Sequence, residues 1–495
     1  MSSVSEERSQ PIPATVTLES ANLLDEITRA TRPKTSAEEE RAKNYFKSFL
    51  QQVVKPGQVV SRDVETNIKA WIGQIDKLLS AQVSEILHDE KFQKLEGTWR
   101  GLHHLVYQSE TGTELKIRVL NAKKKELFNN IEMASEFDQS NLFKTIYTAE
   151  YDMLGGTPYG MLVGDYEFDR SAEDIGLLKK ISGVAAAAHA PFVANAGAGL
   201  FGFDSFEELP NPRDLAKIFD SLEYASWKAF RESEDSRYVA LTMPRVLARL
   251  PYGKGLKTVD QFNYEENVDG TKHDHYTWMG ASWAYATRIT DAFAKYGWMM
   301  RSRGVEGGGV VENLPVHTFK SDDGSIAMKC PTEIAISDSR ENELSKLGFL
   351  PLLHNKGSEK AVFMGAQSCQ KPKDYFDSAA KANAELSTKF NLMLCTSRFA
   401  HYLKVIGRDK IGSFMELGEC KAWLHDWIQN YVVTGPSLSD EQKAKRPLAD
   451  ATVDVQEVPG KPGHYQAVAY LRPHFQLEAL TASLRLVAEI PERAN

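Results

Sequence analysis

The chain has 495 residues, of which 42% are hydrophobic and 25% charged, so two or more packed lobes are expected rather than one core. A formal net charge of −8 excludes a global basic field that would attract nucleic acid or anionic lipid. The four cysteines, Cys330, Cys369, Cys395 and Cys420, are widely spaced and form no CxxC pair, which argues for reduced, cytosolic thiols rather than a disulfide framework or a zinc site.

Residues 1–14 are polar and lack the basic start and apolar stretch of a signal peptide. A short amphipathic helix is predicted over 20–31, with Leu23, Leu24 and Ile27 as a narrow apolar stripe and Pro33 beyond its end. Ser36-Ala37-Glu38-Glu39 reads as a capping box. It leads a helix that Lys55-Pro56-Gly57 breaks. A long helix follows over 62–88, on an apolar period from Val64 to Ile86, and another over 92–106.

From there strands and helices alternate. Leu115, Ile117 and Val119 predict a strand, 123–151 a helix and 161–166 a strand. Ser171 with Asp174 caps a helix that reaches about His189, and 192–196 read as a strand. The uncharged run from Ile181 to Phe203 has the length of a membrane span. It is mainly Ala and Gly, interrupted by Pro191 and Asn195, and such small residues give too little transfer energy for insertion. A buried helix, a turn and a buried strand are expected there. Strands at 238–243 and 333–337 and a helix at 281–296 continue the pattern.

Helices are predicted over 384–406 and 413–433, and three alternating strands close the sequence. Ala451, Val453 and Val455 mark the first strand. Tyr465, Ala467, Ala469 and Leu471 mark the second, after the turn Pro459-Gly460-Lys461-Pro462-Gly463. Leu484, Leu486 and Ala488 mark the third. The fold class is mixed α/β, with a helical N-terminal segment (1–60), an α/β core (61–383), and C-terminal helices followed by a small sheet (384–495). Three strands at a chain end leave open edges that template pairing with other chains. The alternative is a closed sheet packed on the helix at 413–433.

The candidate chemistry is thin. Gly197-Ala198-Gly199-Leu200-Phe201-Gly202 matches GxGxxG and follows a predicted strand, but Pro210 and Pro212 leave no room for the long helix a dinucleotide site needs. A glycine-rich turn against packed backbone is the better reading. His273-Asp274-His275 offers three ligand types without a fourth at telling spacing, and reads as a surface or interface cluster. Arg231-Glu232-Ser233-Glu234-Asp235-Ser236-Arg237 concentrates charge. The flanking arginines favour ion pairs, within or between subunits, over acid–base catalysis. No serine sits in GxSxG and no GxxxxGK[ST] loop occurs. No catalytic, metal or cofactor site is therefore expected.

Several stretches, in order along residues 60–495, carry a resemblance. They include Phe92-Gln93-Lys94-Leu95-Glu96-Gly97-Thr98-Trp99-Arg100-Gly101-Leu102, Ala188-His189-Ala190-Pro191-Phe192 and Phe203-Asp204-Ser205-Phe206-Glu207-Glu208-Leu209-Pro210. Further on come Asn313-Leu314-Pro315-Val316-His317, Arg398-Phe399-Ala400-His401-Tyr402 and Arg472-Pro473-His474-Phe475. As a set, with Arg231 to Asp235, they resemble the large sheath subunit of the type VI secretion system, the TssC/VipB family.

The resemblance implies a cytoplasmic, non-enzymatic protein of a Gram-negative bacterium with no cofactor. It implies pairing with a small sheath subunit of the TssB/VipA type. It also implies stacking with further copies into a six-start helical sheath, around an inner tube of the Hcp type and on a baseplate. Contraction would drive the tube outward, and a AAA+ ATPase of the ClpV type would disassemble the sheath. By the same resemblance Leu23, Leu24 and Ile27 would form an ATPase-recognition helix. Val453, Val455, Tyr465, Ala467, Leu471, Leu484 and Leu486 would lie in strands exchanged between subunits. Arg231, Glu232, Glu234, Asp235 and Arg237 are candidate inter-subunit charges, and Glu416 and Glu419 are candidate tube-facing residues. A phage-tail-like sheath subunit outside secretion, or an enzyme using residues 190–310, are the alternatives.

Overall fold

The computed structural model describes residues 28–29, 32–53, 64–151, 153, 155–253, 262, 264–268, 270, 272–321, 324–410, 417–435, 437–457, 465–474 and 484–489. The chain divides into two units, residues 1–87 with 252–267, and residues 88–251 with 268–495. Among the described residues no helix is long and apolar enough to cross a membrane.

In the smaller unit, α1 (Ser36–Val53) and α2 (Val64–Leu87) form where the apolar period predicts them. The cap of α1 sits one residue earlier than read. The Glu38 N–H donates to Thr35 Oγ1 (3.3 Å) and the Glu38 carboxylate accepts from the Lys34 N–H (2.8 Å), so Thr35 is the capping residue. Tyr264 shares a hydrogen bond with Ser84 of α2 (3.0 Å).

The larger unit begins with α3 (Glu90–Tyr107), α4 (Lys124–Glu132), β1 (Leu162–Phe168), α5 (Ala172–Ala188), β2 (Phe192–Ala196), α6 (Ala225–Glu232) and β3 (Val239–Met243). Next come β4 (Val246–Leu247), β5 (Trp278–Met279), α7 (Ala281–Tyr296), β6 (Val310–Val311), β7 (Thr318–Lys320), β8 (Ile326–Met328), α8 (Asp338–Lys346), β9 (Phe349–Pro351), β10 (Leu353–His354) and β11 (Ala361–Val362). It ends with α9 (Ser378–Ser387), α10 (Phe390–Lys410), α11 (Leu417–Gln429), α12 (Asp440–Lys445), β12 (Leu448–Glu457), β13 (Tyr465–Pro473) and β14 (Leu484–Glu489).

Its centre is a parallel sheet in the order β1-β2-β3-β9. β2 and β3 are buried along their whole lengths, as strands covered on both faces must be. The two-residue side-chain period sorts them between two cores. Phe192, Ala194, Val239 and Leu241 join the core that α5 covers, whereas Val193 and Ala240 join the one that α7 covers. α5 starts on Ser171, whose Oγ accepts from the Asp174 N–H (3.2 Å), and ends at His189 in the left-handed region. The uncharged run is thus a buried helix, a turn and a buried strand.

Four local expectations fail, one of them the single helix over 384–406, which breaks at Thr388-Lys389 between α9 and α10. Residues 115–119 join no sheet. Residues 123–151 are not one helix, because Ser140 accepts from the Phe143 N–H (3.2 Å) and caps a new turn. Residues 333–337 form no strand, since Thr332 Oγ1 donates to the Ile334 carbonyl (2.9 Å) in a turn.

Candidate assembly surfaces

The C-terminal sheet runs β12-β13-β14, all antiparallel. Val453 stands opposite Ala469, Val455 opposite Ala467, and Leu471 between Ala451 and Leu484. Val453, Val455, Ala467 and Leu471 are buried in one core with Leu424 and Ile428 of α11 and Phe399 of α10. These side chains therefore hold the sheet to the body and leave only the backbone edges open to further pairing. Tyr465 opens β13 opposite Glu457, and Leu484 and Leu486 lie in β14. The β12 edge is partly closed: Gln429 Nε2 donates to the Ala451 carbonyl (2.8 Å) and the Val433 N–H to the Leu448 carbonyl (3.0 Å). Among the described residues β14 has no strand on its outer side.

The charged stretch separates by burial. Arg231 points inward, with Nε donating to the Cys369 carbonyl (3.0 Å) and Nη2 to the Lys346 carbonyl (3.0 Å). It therefore ties the C-terminal end of α8 to the loop at Cys369 and is not available as a surface charge. Burial lowers its pKa to about 10. Glu232 and Glu234 stay exposed and face Lys371 (3.6 Å) and Lys373 (3.5 Å), and Arg237 reaches Glu234 at 3.9 Å. Asp235 is exposed beside them, with burial the first cause of its raised pKa. Glu419 is exposed on α11, while Leu23, Leu24, Ile27 and Glu416 lie outside the described residues.

The candidate catalytic groups are held as structure. Glu333 is fully buried and accepts from Arg245 Nε (2.8 Å) and Nη2 (2.7 Å), with His273 Nε2 at 3.2 Å. Burial pushes this carboxyl up, but Arg245 and His273 outweigh it and hold it at about 2. A carboxylate held so low anchors an ion pair and is a poor proton donor or acceptor near neutral pH. His273 to His275 form a 3-10 turn, with His273 stacked on Trp278 and His275 on His88. Among the described residues no three His, Cys, Asp or Glu side chains are grouped to hold a metal. Ala198–Phe201 is a single 3-10 turn closed by Gly202 at φ 76°. Asp169 Oδ1 would lie 2.6 and 2.8 Å from side chains at Gly197 and Gly199, so packing rather than a phosphate explains these glycines.

Comparison with known proteins decides the family. The model described as "EvpB/VC_A0108, tail sheath N-terminal domain" matches residues 69–370, and "EvpB/VC_A0108, tail sheath gpW/gp25-like domain" matches 379–490. A curated relative, the type VI secretion system sheath protein TssC1 of Pseudomonas aeruginosa, is 49% identical over 480 residues, 96% of each chain. The chain belongs to the type VI secretion tail-sheath family.

Within this sheath-family chain, two motif glycines have a packing role that the sequence reading missed. A Cβ at Gly97 would strike the Trp278 carbonyl, and one at Gly101 the Trp283 ring. Their four-residue spacing puts both on the α3 face that meets β5 and α7, and that spacing was the available signal.

Proposed function

We propose that this chain is the large structural subunit of a type VI secretion contractile sheath. It pairs with a small sheath subunit, polymerises as further copies stack around an inner tube on a baseplate, and contracts to propel that tube. The observation that carries the reading is near-complete coverage, at 49% identity, of a relative named as a sheath protein. The C-terminal sheet supports it. Its side chains are anchored in the body while β14 lies at an edge, so a strand from a neighbour can pair there without disturbing the core. Exposed Glu232 and Glu234, with half-buried Arg237, are the charges best placed for contacts that break on contraction. Glu419 is the tube-facing candidate, and Leu23, Leu24 and Ile27 are the handle for a AAA+ ATPase in the cytoplasm.

Electron microscopy of the full chain co-expressed with a small sheath subunit tests this reading. Helical tubules are the expected outcome. A soluble heterodimer that never polymerises would count against it.

A further inference from the structure

Two buried histidines meet where α10 crosses the end of α5. His401 of α10 is 2% exposed, and His189, the residue that ends α5, is 8% exposed. Their rings lie 6.4 Å apart. His401 Nε2 donates to the Ala188 carbonyl (3.0 Å), and the Tyr151 hydroxyl donates to the same oxygen (2.8 Å). A carbonyl partner makes Nε2 the protonated nitrogen of a neutral ring. The Nδ1 atoms of both histidines are buried without a hydrogen-bond partner.

The surroundings oppose a positive charge on either ring. Arg398 and Lys404 stand three residues to each side of His401 on α10. Lys404 Nζ also lies over the Tyr147 and Tyr151 rings (5.2 and 5.3 Å). Glu150, the one acid of residues 141–151, is taken by Arg118 and the Thr157 N–H (2.7 Å). Tyr238 faces His189 at 6.4 Å, with Arg237 and Asp235 acting on it in opposite senses. α5 carries no charge after Lys180, and β2 carries none. Neither histidine makes an ion pair among the described residues. Burial, then Arg398 and Lys404, push His401 down to about 3. Burial, then Lys404 and His401, hold His189 well below the usual histidine range.

The pair also sits at a junction. Phe399 and Leu403 of α10 belong to the core of the C-terminal sheet. His401, two residues from each, points the opposite way at 3.6 residues per turn, onto the end of α5.

We propose that His401 and His189 form a proton-sensitive latch, which holds the second half of α10 against the end of α5 at neutral pH and releases it in mild acid. A proton taken up at Nδ1 turns a neutral ring into a buried cation beside Lys404, with no carboxylate to meet it. Opening exposes the rings to water, where they bind that proton below the ordinary value of 6.5. The closed state is therefore at full strength above pH 6.5 and weakens as pH falls from there toward the folded values. Between pH 7.5 and 5.5 each ring shifts the opening equilibrium about tenfold, and the two together about a hundredfold. β2 and β3 contain no titratable side chain, so the central sheet should not open with the latch.

Amide hydrogen exchange of the full chain at pH 7.5 and 5.5, corrected for the intrinsic pH dependence of exchange, tests this. Protection over residues 398–405 should fall about a hundredfold, while that of β2 and β3 holds. His401→Gln keeps an N–H for the Ala188 carbonyl but cannot take up a proton, so its fall should be only about tenfold. His189→Asn, which suits the backbone at φ 49°, should behave alike. His103→Gln, at an exposed position of α3, should keep the hundredfold fall. Unchanged protection over 398–405 in the unsubstituted chain overturns the proposal. So does an equal fall in β2 and β3, which would mark global acid unfolding, or a hundredfold fall kept by either His401→Gln or His189→Asn.

Discussion

The two main sheets of the larger unit are covered in different ways. β2 and β3 are buried end to end, and alternate residues feed two separate cores. In β12 only one face is buried: Ala451, Val453 and Val455 point in, while Thr452 and Gln456 are exposed. β14, on the other side of β13, lies at an edge. A strand buried on both faces cannot leave without opening two cores. An edge strand can be replaced by an equivalent strand with little net change in burial. The first sheet cannot give up a central strand cheaply, whereas the outer strand of the second can be exchanged as the proposed function requires.

The largest effect should come from removing the exchangeable element. Deletion of residues 480–495 should leave the far-ultraviolet circular dichroism close to that of the full chain and abolish tubules in co-expression. Tubules of normal dimensions from the truncated chain would show that β14 is not the link between subunits.

The closed sheet should fail differently, by losing stability. Arg245 follows β3, and its carbonyl accepts from the Glu333 N–H (2.8 Å) while its guanidinium holds the Glu333 carboxylate. The folded value of about 2 lies below the ordinary 4.5. The group therefore stabilises the fold above the ordinary value and loses that contribution as pH falls toward the folded one. Glu333→Gln should cost about 3 kcal/mol at pH 7, with the gap to the unsubstituted chain narrowing below pH 4. Urea unfolding at a series of pH values checks this. A gap that does not change with pH would assign the loss to packing instead of charge.

A smaller effect separates the two faces of β12. Val453→Ala should cost about 2 kcal/mol, since it removes buried methyl groups from the core shared with α11. Thr452→Ala on the exposed face should cost well under 1 kcal/mol. Thermal unfolding of the two variants gives the ratio, and equal losses would mean that both faces are covered.

The sequence made much of this legible wherever a signal was local. Ser171 as a cap, the closed strand at 192–196 and the alternation of β12 each follow from neighbours a few residues apart. The glycine run was readable as a turn because Pro210 excluded the helix. Arg231 was not readable. It sits among surface-like charges, and its burial depends on carbonyls at Lys346 and Cys369, more than a hundred residues away. Residues 115–119 failed for a related reason. Their alternation is that of a strand, but strand pairing needs a neighbour, and the chain itself supplies none among the described residues.

The smallest predicted effect concerns how α11 is fastened to the C-terminal sheet. Lys421 Nζ lies 2.6 Å from Asp454 Oδ1, which suggests an electrostatic clamp, but the two side chains are 51% and 37% exposed. Water and salt screen such a pair, and holding two long side chains in one geometry offsets much of the attraction. Burial of Leu424 and Ile428 against Val453 and Leu471 needs no such partner. Lys421→Ala should therefore leave the unfolding temperature unchanged within error, and raising the salt concentration should not separate the variant from the unsubstituted chain. A clear loss that salt reproduces in the unsubstituted chain would mean that charge fastens the sheet. The exchangeable region would then be sensitive to ionic strength, unlike the closed one.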